Sequence, residues 1–305
     1  MNSIEINKFV DLIDEACLLI YEIKPEKYGT ILKKVSQDLI GISRDDKINE
    51  EIKEKLDIIY EMLYKTELKD EKEVLLAIQL LQAKALKHIN YNLDYLVPDF
   101  ISILINQFVI SKSFTPQDIL DVNIGTGMLL LNLIIQLDNN SNNYYGINKD
   151  DNLIDILVAS SNLINRDINI LYEELDSKLV TVYDMLIGNL SGELLFSKDL
   201  PYKIILKRIN NLKKDGYFIF LIDNDFFTNP DLESFKEEFN FIGSMLGLIS
   251  LPKQLVQEGK SRKSILIGKK ATDIKQNILI VNIPDFKKEN MEKAIIDIQT
   301  LFSKI

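Results

Sequence analysis

In 305 residues there is one cysteine, Cys17, and one histidine, His88. That leaves no set of nitrogen and sulfur donors from which a structural zinc site could be assembled. An intrachain disulfide is excluded. Cys17, lying among Ala16, Leu18 and Leu19, reads as a small buried side chain of the kind a reducing compartment allows. Base is scarce relative to acid: 36 Lys and Arg stand against 46 Asp and Glu, for a net charge of -10 and a pI near 4.9. Such a surface repels phosphates as a whole, so contact with nucleic acid needs a local basic patch. Long apolar runs are missing too, none approaching the roughly 18 residues that cross a bilayer. Met1 to Glu15 carries acids and lacks the basic-then-apolar order of a signal peptide. A cytoplasmic protein without a membrane segment is expected.

The hydrophobic content of 46% supports a large core, in one big domain with a smaller one or in two of similar size. From Asn2 to about Val97 the apolar residues recur at three and four: Ile6, Val10, Ile13; Ile31, Val35, Leu39; Ile52, Leu56, Ile59, Leu63; Leu75, Ile78, Leu81, Leu86. This period predicts helices. Breaks at Pro25, at Gly41 to Asp45 and at Thr66 to Asp70 divide the segment into about four. Residues 1–95 carry 14 Lys and Arg against 19 Asp and Glu, so this part is no basic clamp, and packing or a protein partner suits it better. We expect a helical N-terminal domain over 1–95 and an α/β domain over 96–305.

After a helix from Phe100 to Val109, the pattern becomes short apolar runs alternating with amphipathic stretches. Strands are predicted at Ile119 to Val122, Tyr144 to Ile147, Ile168 to Leu171, Met185 to Ile187, Tyr217 to Ile222, Leu246 to Leu251 and Ile265 to Gly268. Helices are predicted at Met128 to Leu137, Leu153 to Leu163, Tyr202 to Leu212, Leu232 to Phe239 and Lys288 to Phe302. Strands separated by helical spans imply right-handed crossovers and a mainly parallel sheet, with ligands at the carboxyl ends of the strands. The last two of these strands are joined by a loop too short for a helical crossover, so an antiparallel pair is expected there. Ile278 to Ile283 could add one more strand.

The most informative stretch is Asp121-Val122-Asn123-Ile124-Gly125-Thr126-Gly127, which leads into Met128 to Leu131. It has the form of a strand, a glycine turn and a helix, in the pattern acid-x-x-x-Gly-x-Gly. Gly125 and Gly127 let the backbone turn sharply and approach a ligand, and Asp121 offers a carboxylate at the strand end. An ordinary tight turn is the competing reading. A dinucleotide site wants a third small residue where Leu130 stands. S-adenosylmethionine, which has no pyrophosphate, therefore fits better than NAD.

Seven strands, the glycine loop and the antiparallel last strand resemble the class I S-adenosylmethionine-dependent methyltransferase fold. Within it the chain resembles the adenine-N6 branch, and especially the methylation subunits of type I restriction-modification systems, which carry a helical N-terminal domain. The resemblance runs from about residue 70 to residue 270. Asp121 to Gly127 sits where that family has Asp-Pro-x-x-Gly-Thr/Ser-Gly, and Leu96-Val97-Pro98 where it has a Thr-Pro element lining the cofactor pocket. Lys214 to Ile222 resembles the fifth strand, and Leu251-Pro252 with Lys263 to Ile267 the last strand pair. The cofactor residues so implied are Pro98, Asp121, Asn123, Gly125, Thr126, Gly127, Asn148 and Glu174.

Several positions depart from the family. Asn148 stands where an acid holds both ribose hydroxyls, and an amide lacks the charge-assisted strength of a carboxylate. Asp150 or Asp151 is a substitute, or else a cap of the next helix. Glu173 and Glu174 fall near the acid that faces the cofactor's adenine, Glu174 matching better, although a solvated loop pair reads equally well. At the fourth strand the family ends with Asp or Asn, Pro-Pro and an aromatic. The acid or amide oxygen and a carbonyl accept the hydrogens of the attacking amine, and the ring stacks on the flipped base. Here the residues are Asn189-Leu190-Ser191-Gly192. Asn189 and Leu190 keep the acceptors, and Gly192 offers no ring, which forgoes about 1–3 kcal/mol of stacking. Phe196 replaces it only if the loop folds back, and for Asn189 itself a turn cap is the plain alternative.

Lys253, Lys260, Arg262 and Lys263 form one local basic cluster, able to steer a phosphate backbone if the sixth strand is parallel. An ordinary solvated loop is the alternative. The short loop from Ser191 to Leu200 leaves no room for a large target-recognition domain. The resemblance thus implies an S-adenosylmethionine-dependent enzyme that methylates an exocyclic amine of nucleic acid, with DNA the foremost partner. The competing expectation is a decayed methyltransferase fold that binds cofactor or a protein partner through its helical N-terminal region. A dehydrogenase is disfavoured by Leu130 and Asn148.

Overall fold

The computed structural model describes residues 3–44, 48–137, 141–191, 195, 200–256, 260–271 and 278–304. The chain divides into two compact units. One comprises Met1–Leu96, Gly125–Ile135 and Lys149–Ile168; the other comprises Val97–Ile124, Gln136–Asn148 and Asn169–Ile305.

The first unit is helical. Its helices are α1 (Ser3–Ile23), α2 (Tyr28–Leu39), α3 (Glu50–Tyr64) and α4 (Glu71–His88), then a single 3-10 turn over Leu93–Tyr95, the start of α6 (Met128–Leu137) and all of α7 (Asp151–Leu163). Local chemistry sets the helix starts. Asn49 accepts the Ile52 N–H at 2.9 Å and begins α3; Asp70 accepts the Glu73 N–H at 3.0 Å and begins α4. Each satisfies one amide that the first helical turn leaves without a partner. Ile13, Ala16, Leu32, Val35, Leu56, Ala77, Leu81 and Ala159 form the core. Cys17 is buried and free within that core, and burial pushes its thiol above the ordinary range, as for an inert packing residue.

Among the described residues the second unit has eight strands: β1 (Asp118–Asp121), β2 (Asn143–Asn148), β3 (Asn169–Tyr172), β4 (Tyr183–Asn189), β5 (Leu212–Asp223), β6 (Ser244–Ser250), β7 (Lys263–Lys269) and β8 (Leu279–Asn282). Their order is β3-β2-β1-β4-β5-β7-β6-β8. The pairs from β3 to β5 are parallel, β7 is antiparallel to both neighbours, and β8 is parallel to β6. All seven predicted strands are present, and the optional stretch at Ile278 to Ile283 supplies the eighth. Since β5 and β6 both run against β7, they share a direction, and the loop after β6 leaves the sheet at the carboxyl ends of the parallel strands.

The core of this unit gathers Leu120, Val122, Ile147, Tyr183, Leu186, Phe218, Phe220 and Phe239. Its helices include α5 (Asp99–Ser111), α8 (Leu200–Arg208), α9 (Leu232–Phe239) and α10 (Lys288–Phe302); α5 packs on α10, with Phe108 edge-on to Phe302 at 5.2 Å. One expectation needs amending. Leu93–Ser111 is long and apolar enough to cross a membrane by length and composition alone. The 3-10 turn and Pro98 interrupt it, and Ile101, Leu104, Ile105 and Phe108 of α5 are buried, as in the core helix of a globular unit.

Candidate functional site at the carboxyl ends of the strands

Within the second unit the chain leaves β1 at Asp121, whose side chain is 1% exposed. Its Oδ1 accepts the Asn123 N–H at 3.0 Å, and burial pushes the carboxyl up to about 7. Desolvation disfavours the charged form, and one amide hydrogen bond offsets it only in part. Beyond the strand, the Val122 N–H donates to the Ile187 carbonyl at 2.9 Å and the Ile124 N–H to the Ile147 carbonyl at 3.3 Å. Two strand glycines make room for this run. A Cβ at Gly188 would lie 2.8 Å from Val122 Cγ2, and one at Gly146 would overlap the Ile124 side chain.

The end of β4 is tied to the same run. Asn123 Nδ2 donates to the Asn189 carbonyl at 2.7 Å. The Leu190 N–H donates to the Leu221 carbonyl at 2.8 Å, and the Ser191 N–H to Asn189 Oδ1 at 3.1 Å. The Ser191 hydroxyl donates to Asp223 Oδ1 at 2.8 Å. Asn189, Leu190 and Ser191 are all buried. Where Pro-Pro would stiffen such a turn covalently, Leu190 and Ser191 bring N–H groups that stiffen it by hydrogen bonding. One consequence is that the Asn189 amide oxygen already holds a donor. Gly192 and Phe196 lie outside the described residues.

Asn148 ends β2, buried and opposite Tyr172 of β3. Glu174 is exposed after β3. That loop is anchored by Arg208, a fully buried guanidinium that donates to the carbonyls of Glu174 (3.1 Å), Leu175 (2.6 Å) and Ser177 (2.9 Å). Burial draws its pKa downward. Pro98 precedes α5 as its N-cap. Of the basic cluster, Lys253 is exposed, Lys260 and Arg262 are half-buried, and Lys263 is buried opposite Asp223 in the β5/β7 register. Lys263 is therefore a sheet residue, and of the four only Lys253 is exposed.

Within the first unit, Gly125 and Gly127 have φ of +54° and +82°, a region that glycine enters at little cost. A Cβ on Gly125 would come within 2.6 Å of Tyr95 Cδ1, and one on Gly127 would overlap Leu157 Cδ1. Thr126 is buried, its carbonyl accepting Gln82 Nε2–H at 2.9 Å. Asp150 caps α7, taking the Asn152 N–H at 2.9 Å on Oδ1 and the Tyr91 hydroxyl at 2.7 Å on Oδ2. Of the two readings of Asp150, the cap is the one observed.

Sequence reasoning missed Tyr95, Gln82, Arg208, Asp223 and the roles of Gly146 and Gly188. Glycine inside a strand is a signal of close approach by another segment, and it would have found the last two. Nothing local to the sequence marks the others, whose partners lie tens of residues away.

No family model matches the chain. The uncharacterized protein YtxK of Bacillus subtilis is 25% identical over 329 residues, covering 100% of this chain and 98% of that protein. Among solved structures, a class I S-adenosylmethionine-dependent methyltransferase so described, as putative, from Listeria monocytogenes superposes with a TM-score of 0.81 at 21% identity, over 98% of this chain and 99% of that one. The type I restriction-modification methyltransferase subunit of Streptococcus thermophilus gives a TM-score of 0.58 at 11% identity, over 97% and 93%. A modification subunit of a restriction enzyme described as putative type I, from Vibrio vulnificus, gives 0.54 at 13%, over 80% and 59%. The chain has the class I S-adenosylmethionine-dependent methyltransferase fold, and its structural neighbours include type I methylation subunits.

That fold implies a cofactor against which the residues can be tested. The positive-φ glycines fit a loop made for close main-chain approach, and Asn148 has an amide able to bond a ribose hydroxyl. Taken by itself, each unit's set of residues fits the group, with one condition within the first: the side-chain-free face of Gly125 is covered by Tyr95.

Proposed function

We propose that this protein binds S-adenosylmethionine and directs its methyl group to an exocyclic amine of nucleic acid, in the manner of adenine-N6 DNA methyltransferases. The observation that carries this reading is the buried Asn189-Leu190-Ser191 turn at the end of β4, hydrogen-bonded through Asn123 to the run that follows Asp121. The residues that would hold the cofactor are Asp121, Asn123 and Asn148, the main chain of Gly125, Thr126 and Gly127 next in sequence, and Pro98 and Glu174. When bound, it supplies an electrophilic sulfonium methyl. Asn189 Oδ1 and the Leu190 carbonyl would be the acceptors for the amine's hydrogens, the amide oxygen also holding the Ser191 N–H. Lys253, Lys260 and Arg262 would meet the phosphate backbone. The site of action would be the cytoplasm.

A second reading is favoured by the same Ser191-to-Asn189 hydrogen bond: a methyltransferase fold that binds cofactor, or a protein partner through helices 1–95, without transferring methyl groups. One experiment separates the two. Calorimetric titration with S-adenosylmethionine, run on the native chain and on Gly125→Val, is paired with radiolabel transfer into adenine-containing DNA. Binding with transfer supports the first reading, and binding with background transfer supports the second. Equal heats from both proteins would remove the glycine loop from the binding site.

A further inference from the structure

We propose that Tyr95 governs access to the cofactor loop: its ring occupies the side-chain-free face of Gly125 and has to swing away before a nucleoside can lie against that glycine. The proposal rests on the cofactor reading above and adds a regulatory side chain to it.

The two loop glycines are covered in different ways. Over Gly127 lies Leu157, a fully buried residue in the middle of α7. Moving it would unpack the helix, so that cover is structural. Over Gly125 lies Tyr95, with Cδ1, Cε1 and Cγ at 2.6, 3.3 and 3.7 Å from where a Cβ would stand. Tyr95 is half-buried and ends a 3-10 turn of three residues. That turn is held by the Leu96 N–H on the Leu93 carbonyl at 2.9 Å and by Asn92 Oδ1 capping Asp94 at 2.9 Å. Such short turns have poorer hydrogen-bond geometry than an α-helix.

The ring itself is held by packing alone. Its hydroxyl bonds to no described residue, and the Tyr95 carbonyl has the Thr126 hydroxyl at 3.5 Å, a long contact. A rotation about χ1 would therefore release the ring without moving the loop. The Tyr91 ring, centred 6.5 Å away, is fixed by its hydroxyl on Asp150. Glycine's missing side chain at 125 thus accommodates one of two occupants, the chain's own phenol ring or a ligand, and the two compete.

The test is calorimetric titration of S-adenosylmethionine into the native chain, Tyr95→Ala and Tyr95→Phe, with melting curves to show that each is folded. The expected result is at least about tenfold tighter binding for Tyr95→Ala, and native-like binding for Tyr95→Phe because the ring, not the hydroxyl, is the occupant. Binding by Tyr95→Ala where the native chain is silent supports the proposal equally. Native binding with Tyr95→Ala equal or weaker overturns this proposal and leaves the cofactor reading standing. Silence from both folded proteins overturns both. Tyr95→Trp is an independent check, since the sequence has no tryptophan: cofactor should shift its single indole emission to the red, and unchanged emission with retained binding overturns the proposal.

Discussion

The side chain of Asn123 donates to the main-chain carbonyl of Asn189 at 2.7 Å across 66 residues of sequence. It joins the run after β1 to the turn after β4, on which the proposed methyl transfer depends. Asn189 is buried, so its carbonyl has little water to fall back on. Removing the partner of a buried acceptor costs about 1–3 kcal/mol. Asn123→Ala should lower the unfolding free energy by that amount in urea denaturation, with an unchanged m-value. A native-like midpoint would mean that the bond contributes nothing.

Asp121 makes stability depend on pH. Its carboxyl titrates near 7 in the folded chain against an ordinary value of 3.8. Between about pH 4 and pH 7 the native state therefore keeps a proton that the unfolded chain has released. Stability from this group is complete below pH 4 and is lost as pH rises through 7. Asp121→Asn lacks that loss. It should gain on the native chain as pH rises, by on the order of 4 kcal/mol at full ionisation, and melting temperatures of both proteins from pH 4 to 8 would register it. Parallel pH profiles would contradict a buried, late-titrating carboxyl.

Gly146 and Gly188 should resist even the smallest side chain. Overpacking of this kind costs about 1–3 kcal/mol, and Gly146→Ala meets Ile124 directly. Trimming the neighbour removes the Ile124 Cδ1 and Cγ1 contacts and leaves the one at Cβ, so Gly146→Ala combined with Ile124→Ala should be less destabilised than the sum of the two single changes. Strict additivity in a double-mutant cycle would show that the contact is not the cause.

Arg208→Met should loosen the loop that bears Glu174. The guanidinium serves three carbonyls there, and hydrogen bonds to a charged group contribute about 1.5–3 kcal/mol. Faster amide exchange confined to residues 173–179 is expected, together with a lower melting point. Exchange that is unchanged in this loop would reassign Arg208 to simple space filling.

Much of the architecture was legible from periodicity. Ile6, Val10 and Ile13 recur at helical spacing because a helix buries one stripe, and Tyr217 to Ile222 is continuously apolar because a central strand is covered on both faces. The predicted ends of α6, α9 (Leu232–Phe239) and α10 match those observed. The loop pattern at Asp121 to Gly127 was visible because a positive φ demands glycine within a few residues of sequence. The site was only half legible. Asn189 could be picked out as a polar residue ending a strand, but nothing near it in sequence disclosed that Asn123 would take its carbonyl, or that the Ser191 N–H would take its amide oxygen.

The sequence by itself determined the elements, their order and the position of the glycine turn, since these follow from short-range periodicity and backbone sterics. Only the tertiary structure decided what fills the space those glycines leave and that Asn123 and Ser191 bond to Asn189. Those are matters of contact between segments such as Tyr95 and Gly125, 30 residues apart, and chain folding alone sets such contacts.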